Sequence, residues 1–500
     1  MRSGLPADLP EEARRYLDAF PKGEIIAFAI DPIDRVGVPV WIVALFPEDE
    51  PLLAGVMPYG VGYGFDEAQA ILGALGEIAE MVFPALSLGT RTRHRGSYRE
   101  LAMVAGKNAI ADPFTLCLPA GSPVGPDTPL EWVEAVRVAD RSTLLVPLDL
   151  AAYNSAELPA GYRPFTTIIS NGMGAGPDLD WAIGHGLCEI LQRDGNGLVF
   201  RALDRGIAVE LPSELSGRAG SLLDRYHAAG IRPIVKFASD EFGLTNLYCV
   251  GVDERGEPAE PIMVSACGEA CHPSREAALE KALTEYAASR SRKAYAHGSD
   301  SRTRALSPAG YVDRFLARSG GAAKSSDSRA LDTMIDWQTR SAAELRGYLE
   351  TNMLAERAAI PFSSLPDTAC PAPRDRGRVA MERVATAGFD IAYVDMTPPG
   401  CPVSTAKLIV PGMEVETMSY GRIGERGVRK LLELDSPLIR FEQAHEGLQP
   451  VRLTEEAAQR LGGQPFFDMA LAAQIVGPLY PLYREPEAHH AAAAARKLAS

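Results

Sequence analysis

The sequence predicts a mixed α/β protein in which β-sheets are packed by amphipathic helices. Two observations carry that prediction. Residues 166–201 open with a β-branched run, 166–169, that reads as a strand. A glycine-dense turn follows (Asn171, Gly172, Gly174, Gly176, Pro177), then Asp178 at an N-cap position and an amphipathic pattern to about residue 201. The second observation is that this construction occurs three times. Asp66, Asp178 and Ser274 each cap a helix after a Gly- or Pro-containing turn, and eleven residues after each cap stands a glutamate: Glu77, Glu189 and Glu285. Eleven steps of about 100° return close to the starting direction, so each glutamate lies above its own cap on one helix face. Small residues four apart precede each one: Ala70 and Ala74, Ala182 and Gly186, Ala278 and Ala282. The equal spacing leads to the expectation that the three carboxylates converge.

The remaining elements follow in chain order. Residues 1–22 read as a short helix with coil, and residues 24–30, 38–46 and 52–57 as strands. The first capped helix runs from Asp66 to about Phe83, and the basic stretch 84–98 reads as a loop. In it, Arg91, Arg93 and Arg95 are solvated surface or phosphate-facing. Residues 143–150 form a strand before the central unit. A helix over 216–229 and strands at 231–237, 247–252 and 262–266 lead to the third capped helix, from Ser274 to about Ala296. Residues 298–328 are rich in Ser, Gly and Arg and read as a linker or mobile loop. A polar helical region, Pro-rich coil, strands at 389–396 and 404–410 and a helical C-terminus complete the chain. This gives an N-terminal part of the core (1–58), a central domain (59–440) with an insertion at 298–375, and a C-terminal helical extension (441–500).

A hydrophobic content of 46% and a charged content of 23% are those of a globular chain able to bury a core. The net charge of −15 argues against nonspecific binding to nucleic acid or anionic membrane, while leaving room for a local basic site. No apolar run is expected to span a bilayer, and no signal peptide precedes the seven scattered cysteines, which suggests a reduced, cytoplasmic setting. Cys267, Cys271 and His272 have the look of a metal half-site, but no second pair stands at zinc spacing, so buried thiols are the simpler reading. The three glycines before the central helix follow G-x-G-x-G rather than the dinucleotide pattern, and Glu210 comes too late for a ribose-binding acid. Glu189, Gln192 and Arg193 share one helix face beside the glycine turn, a combination suited to phosphate and its metal. His185, one turn earlier, reads as packed.

The motifs together resemble the YcaO family. The central unit is similar to its N-G-x-A-x-G turn and E-x-x-E-R-D helix, at residues 171–176 and 189–194. The third unit matches at Gly268, His272, Ala278, Leu279, Ala282, Leu283, Thr284, Glu285, Ser289 and Arg290. The first matches at Gly62, Gly64, Ala70, Ala74, Leu75, Glu77 and Glu80. Residues 407–414, from Lys407 to Glu414, resemble the family's K-x-x-V-P-G-L-E segment. The resemblance spans roughly residues 34 to 430 and implies a YcaO-type fold whose helices carry converging glutamates.

It further implies Mg²⁺ ligands at Glu77, Glu80, Glu189, Gln192 and Glu285, and ATP contacts at Asn171, Arg193, Arg290 and Lys407. The implied activity is ATP-dependent phosphorylation of a peptide backbone amide oxygen, leading to a thioamide, azoline or amidine. Implied partners are a peptide or protein substrate, a sulfur-delivery or leader-binding protein, and a second copy in a homodimer. Tyr63, Gly73, Met81, Gln192 and Ala288 replace the family's Lys, Ser, Arg, Glu and Gln. Gly73, Met81, Gln192 and Ala288 raise the alternative of a non-catalytic accessory protein that binds a leader peptide or partner.

Overall fold

The structure, a computed structural model, describes residues 2–54, 56–320, 327–441 and 447–499. The chain divides into two compact units, each assembled from segments distant in sequence. The first comprises Met1–Val82, Val199–Ala369 and Pro478–Ser500, and the second Phe83–Leu198 and Cys370–Gly477.

In the first unit, Arg2–Ser3, Gly23–Ala29, Val40–Pro47 and β1 (Tyr59–Tyr63) form a four-stranded sheet in that order. A five-stranded sheet runs β3 (Gly268–His272), Thr245–Asp253, Ile231–Ser239, Ile207–Glu210 and Ala358–Pro361. It is antiparallel except for the last pair. The second unit holds an antiparallel sheet ordered Arg93–Ser97, Pro129–Arg137, Ala392–Asp395, β4 (Ser404–Ile409) and β2 (Met173–Gly176), with Thr143–Pro147 beside Pro129–Arg137. A small sheet of Ile439–Arg440, Phe466–Asp468 and Leu448–Pro450 accompanies it.

The three capped helices are α1 (Glu67–Leu88), α2 (Leu179–Asn196) and α3 (Arg275–His297). Each directly follows a strand that ends its sheet among the described strands: β1, β2 and β3 respectively. The sequence reading placed these strands too early, at 52–57, 166–169 and 262–266. The first and last of those stretches contain 3-10 turns, Pro51–Leu53 and Pro261–Ser265, and 166–169 is irregular. The glycine segments taken for turns are themselves the strands. Close packing is the reason. A Cβ on Gly62 would lie 1.8 Å from the carbonyl oxygen of Ala70, one on Gly174 2.1 Å from that of Ala182, and one on Gly268 2.2 Å from that of Ala282. Only a strand without side chains at these points lies this close to its helix, and small residues on the helix complete the fit.

Other expectations also shift. The 84–98 loop is instead the end of α1, which continues through Pro84, followed by the strand Arg93–Ser97. The expectation of no membrane-length apolar run is corrected by α1 itself, 22 residues long and apolar enough by composition to cross a bilayer. Its apolar side, including Ala70, Ile71, Ala74, Leu75, Ile78 and Val82, is buried within the protein. The supposed linker at 298–328 contains the helices Asp300–Leu306 and Tyr311–Arg318, anchored by buried Tyr311, Val312 and Phe315. Its residues 321–326 lie outside the described residues. In the C-terminal stretch, 478–500 belongs to the first unit and ends in the helix His490–Ala499.

Candidate nucleotide and metal site

All three sequence-assigned caps are formed. Asp66 Oδ1 accepts from Gln69 N at 2.8 Å, Asp178 Oδ1 from Trp181 N at 3.0 Å, and Ser274 Oγ from Ala277 N at 3.4 Å. Satisfying these N-terminal donors starts each helix at a fixed residue. In all three, the residues three, seven and eleven positions after the cap stay out of the core: Gln69, Gly73 and Glu77; Trp181, His185 and Glu189; Ala277, Lys281 and Glu285. Each helix therefore turns its motif glutamate toward an accessible stripe while burying the small residues that meet the strand.

The glutamates are also held. Val61 N donates to Glu77 Oε2 at 2.8 Å, and Gly172 N donates to Glu189 Oε2 at 3.0 Å. In both, the glycine segment before the helix orients the carboxylate on it. Glu285 is held differently: the Tyr63 hydroxyl donates to its Oε2 at 2.9 Å, and the Lys281 ammonium stands 3.9 Å away. Tyr63 occupies the position at which the resemblance puts lysine. Its bond to Glu285 joins residues 222 apart, which no local signal announces.

Glu80 and Arg193 are partly accessible, on α1 and α2. Gln192 is buried, 4% exposed, on the inner side of the same turn as Arg193. Asn171 lies in the loop before β2, and its buried Oδ1 accepts no hydrogen bond in the structure. It lines a 60 Å³ cavity within the second unit together with Lys407, Asp149 and Glu414.

Two expected nucleotide contacts have other work in the structure. Lys407 is on β4, an interior strand between Ala392–Asp395 and β2, and is 3% exposed. Its ammonium donates to the carbonyl oxygens of Ile169 and Asn171, both at 2.7 Å, and so ties down the loop leading into β2. The phosphate and edge-strand readings both give way to this. Arg290 is 0% exposed. Its Nε and Nη2 bond Asp34 at 2.9 and 3.1 Å, and Nη1 and Nη2 bond Asp253 at 3.1 and 3.0 Å. A guanidinium enclosed and doubly paired in this way is a core clamp, not a nucleotide contact. We expect Arg290→Met to destabilise the protein by about 3–5 kcal/mol, because the buried Asp34 carboxylate loses its guanidinium while Asp253 keeps Arg35 at 2.6 Å, read as a drop in the urea midpoint.

His272 Nδ1 accepts from Ser274 N at 2.9 Å, which supports the turn into α3. Cys267 and Cys271 are free thiols, and burial pushes the Cys267 thiol up to about 11. Arg93 donates to the Glu157 carbonyl oxygen at 3.2 Å, and the Arg95 side chain is 81% exposed. Among the described residues, no three His, Cys, Asp or Glu side chains form a group that could hold a metal ion by themselves. The candidate donors Glu77, Glu80, Glu189, Gln192 and Glu285 are all oxygen donors, a set that suits a hard cation such as Mg²⁺, which commonly completes its shell with phosphate and water. The unpartnered Oδ1 of Asn171 also fits a polar ligand.

The chain belongs to the YcaO family, whose model, described as YcaO cyclodehydratase, ATP- and Mg²⁺-binding, matches residues 61–414. ATP and Mg²⁺ are the family's cofactors. Among solved structures, a heterocyclase in complex with substrate and cofactor aligns with a TM-score of 0.59 at 18% identity, over 87% of this chain and 56% of that one. The chain thus spans little more than half of that heterocyclase. YcaO from Methanopyrus kandleri, bound with AMPPCP and Mg²⁺, aligns with a TM-score of 0.53 at 20% identity, over 80% of this chain and 88% of its own. Both likenesses are of fold. In sequence, an uncharacterized protein of Methanothermobacter thermautotrophicus is 26% identical over 402 residues, 79% of this chain and 91% of its own length.

Proposed function

We propose that the protein uses ATP and Mg²⁺ to activate a backbone amide of a ribosomally made peptide or protein, in thioamide, azoline or amidine formation. The observation that carries this reading is the threefold repeat of a glycine strand, a capped helix and one accessible glutamate at fixed spacing. In this reading Glu77, Glu80, Glu189, Gln192 and Glu285 are the magnesium ligands, with Asn171 and Arg193 as nucleotide contacts.

A neutral amide has a poor oxygen leaving group, and Mg²⁺-bound ATP supplies the phosphoryl group that makes that oxygen leave. The protein's part is positioning. The Val61 and Gly172 amides and the Tyr63 hydroxyl fix three carboxylate orientations in advance, which lowers the cost of ordering them around a cation. Arg193 supplies positive charge toward phosphate.

A peptide or protein substrate, a sulfur-delivery or leader-binding partner, a homodimer and a cytoplasmic setting complete the proposal. Purified protein is expected to show Mg²⁺-dependent ATP binding, and to release ADP and phosphate when given its peptide. The absence of both binding and any thermal shift with ATP would refute the reading. ATP binding without turnover, together with binding of a leader peptide, would favour the accessory role raised by Gly73, Met81, Gln192 and Ala288.

Gln192 offers a finer test. An amide oxygen contributes less to a divalent cation than a carboxylate. Gln192→Glu is therefore expected to keep the fold and tighten apparent Mg²⁺ affinity, and Gln192→Leu to weaken nucleotide binding. Identical metal titrations for wild type and both variants would remove Gln192 from the site. A loss of stability in Gln192→Glu with unchanged metal dependence would mark it as a packing residue.

A further inference from the structure

The first unit holds a cavity of about 240 Å³ that the proposed reaction does not use. Its walls are β1, the C-terminal half of α3, the helix Tyr311–Arg318 and the segment 485–489. It meets α3 at Arg292, seven residues beyond Glu285, which is about 10 Å of helix. Tyr59, Tyr295, Tyr311 and Phe315 line it with aromatic rings, and Tyr59 and Phe315 pack edge to face with centroids 5.1 Å apart. A cavity of roughly 150 Å³ in an apolar core is enough to hold benzene. This one therefore has room for an organic group of side-chain size.

The polar groups of the lining are matched unevenly. The cations converge on one carboxylate: Arg292 Nη1 and Nη2 donate to Glu485 at 2.8 and 3.3 Å, and the adjacent Lys293 ammonium stands 2.9 Å from Glu485 Oε1. His297 Nε2 lies 3.3 Å from Oε2 of the same group. A carboxylate only accepts, so Nε2 carries the imidazole proton. Burial, acting against Glu485, holds this imidazole below its usual value and keeps it neutral, which leaves Nδ1 as an acceptor. That Nδ1 is buried and has no hydrogen-bond partner among the described residues, and the same is true of Tyr311 Oη. The two residues are 2% and 1% exposed. Glu487 stands exposed at the rim, where the Tyr59 hydroxyl donates to its carboxylate. That carboxylate has lone pairs for further donors. The lining thus offers acceptors and ring faces, while its positive charge is already paired.

We propose that this cavity binds the ammonium group of an organic primary amine, its N–H donors directed to His297 Nδ1, Tyr311 Oη and the Glu487 carboxylate and its alkyl chain against the rings. An ammonium group has three donors and no acceptor, and the faces of aromatic rings attract it. A carboxylate or phosphate would bring acceptors to acceptors, and the cations that could draw it are held by Glu485. A neutral alcohol makes a hydrogen bond but gains neither the ring faces nor the Glu487 charge. The amine is either free or the side chain of a lysine in a peptide, since both present the same group on a short alkyl chain. None of these residues is assigned above to nucleotide or metal, so the proposal stands apart from the reading of the protein as an ATP-binding one.

The test is calorimetric titration of the full chain, without nucleotide and at neutral pH, with n-pentylamine, n-pentanol and n-pentanoate. Pentylamine is expected to bind about tenfold more tightly than pentanol, and pentanoate not to bind. Tyr311→Phe keeps the ring and removes the hydroxyl, and is expected to weaken pentylamine about tenfold. Glu487→Gln is expected to weaken pentylamine only about threefold, because the rim is exposed, and to leave pentanol unchanged. Lysine blocked at both its α-amino and carboxyl groups separates the sources: binding as tight as that of pentylamine points to a peptide lysine, and binding of pentylamine alone to a free amine. Equal binding of amine and alcohol, or preference for pentanoate, would overturn the proposal. So would no binding of any of the three, which would leave a cavity for water alone, and so would an amine affinity unchanged in both variants. The comparison of the three ligands on wild type needs no variant, so it decides even if Tyr311→Phe does not fold.

Discussion

Glu189→Gln is expected to weaken Mg²⁺-dependent ATP binding by about 100-fold, roughly 2.7 kcal/mol, while the protein stays folded. The substitution isolates charge from shape. Glu189 Oε2 accepts the Gly172 N–H at 3.0 Å, and an amide oxygen in its place accepts the same bond. What disappears is the negative charge that a hard cation needs. Glu189→Ala is a blunter change, because it also strands the Gly172 N–H beside a buried strand and adds a structural cost. The two variants separate the roles: Gln should shift the nucleotide titration with little change in unfolding midpoint, and Ala should shift both. Calorimetric titration with Mg²⁺ and ATP, paired with thermal unfolding, reads both quantities. A wild-type titration curve for Glu189→Gln would remove this glutamate from the metal site.

How much was legible in the sequence differs between helix starts and strands. The caps Asp66, Asp178 and Ser274 were legible because a cap is a local event: one side-chain oxygen and an amide three residues on. The glutamates followed from the caps by counting. The strands β1, β2 and β3 were not, because glycine has low strand propensity and ordinarily signals a turn. Here its value is the absence of a side chain, which matters only once the helix carbonyls of Ala70, Ala182 and Ala282 are in place.

Arg290 and Lys407 were misread for a related reason. Each is a cation within a family motif, and in isolation a cation near a phosphate site invites a phosphate contact. The partners that claim them, Asp34 and Asp253 for one and the Ile169 and Asn171 carbonyls for the other, lie between 37 and 256 residues away in sequence. Arg376, which pairs with His185 across 191 residues, was invisible for the same reason. Spacing along one helix is readable; which distant element a buried charge meets is not.

The same geometry also sets a large expected loss of stability. Gly62→Ala should cost at least about 3 kcal/mol, at the upper end for an overpacked site. That is a large share of the 5–15 kcal/mol typical of a folded domain, and soluble expression should suffer. The added methyl would stand 1.8 Å from the Ala70 carbonyl oxygen and crowd the backbone at Ala74, whose nitrogen is 2.3 Å away. Neither is the movable end of a flexible side chain, so relief requires α1 to lift from β1. That motion would also pull Glu77 from the Val61 amide. Gly76 supplies the control. It sits on α1 with nothing within 4 Å of where its Cβ would be. Gly76→Ala therefore meets only the helix's preference for alanine and should stabilise by roughly 0.5–1 kcal/mol. Two identical chemical changes fourteen residues apart are thus expected to act with opposite sign. Urea unfolding of the two variants beside wild type measures the difference. A Gly62→Ala protein as stable as wild type would show that β1 and α1 do not need this close an approach.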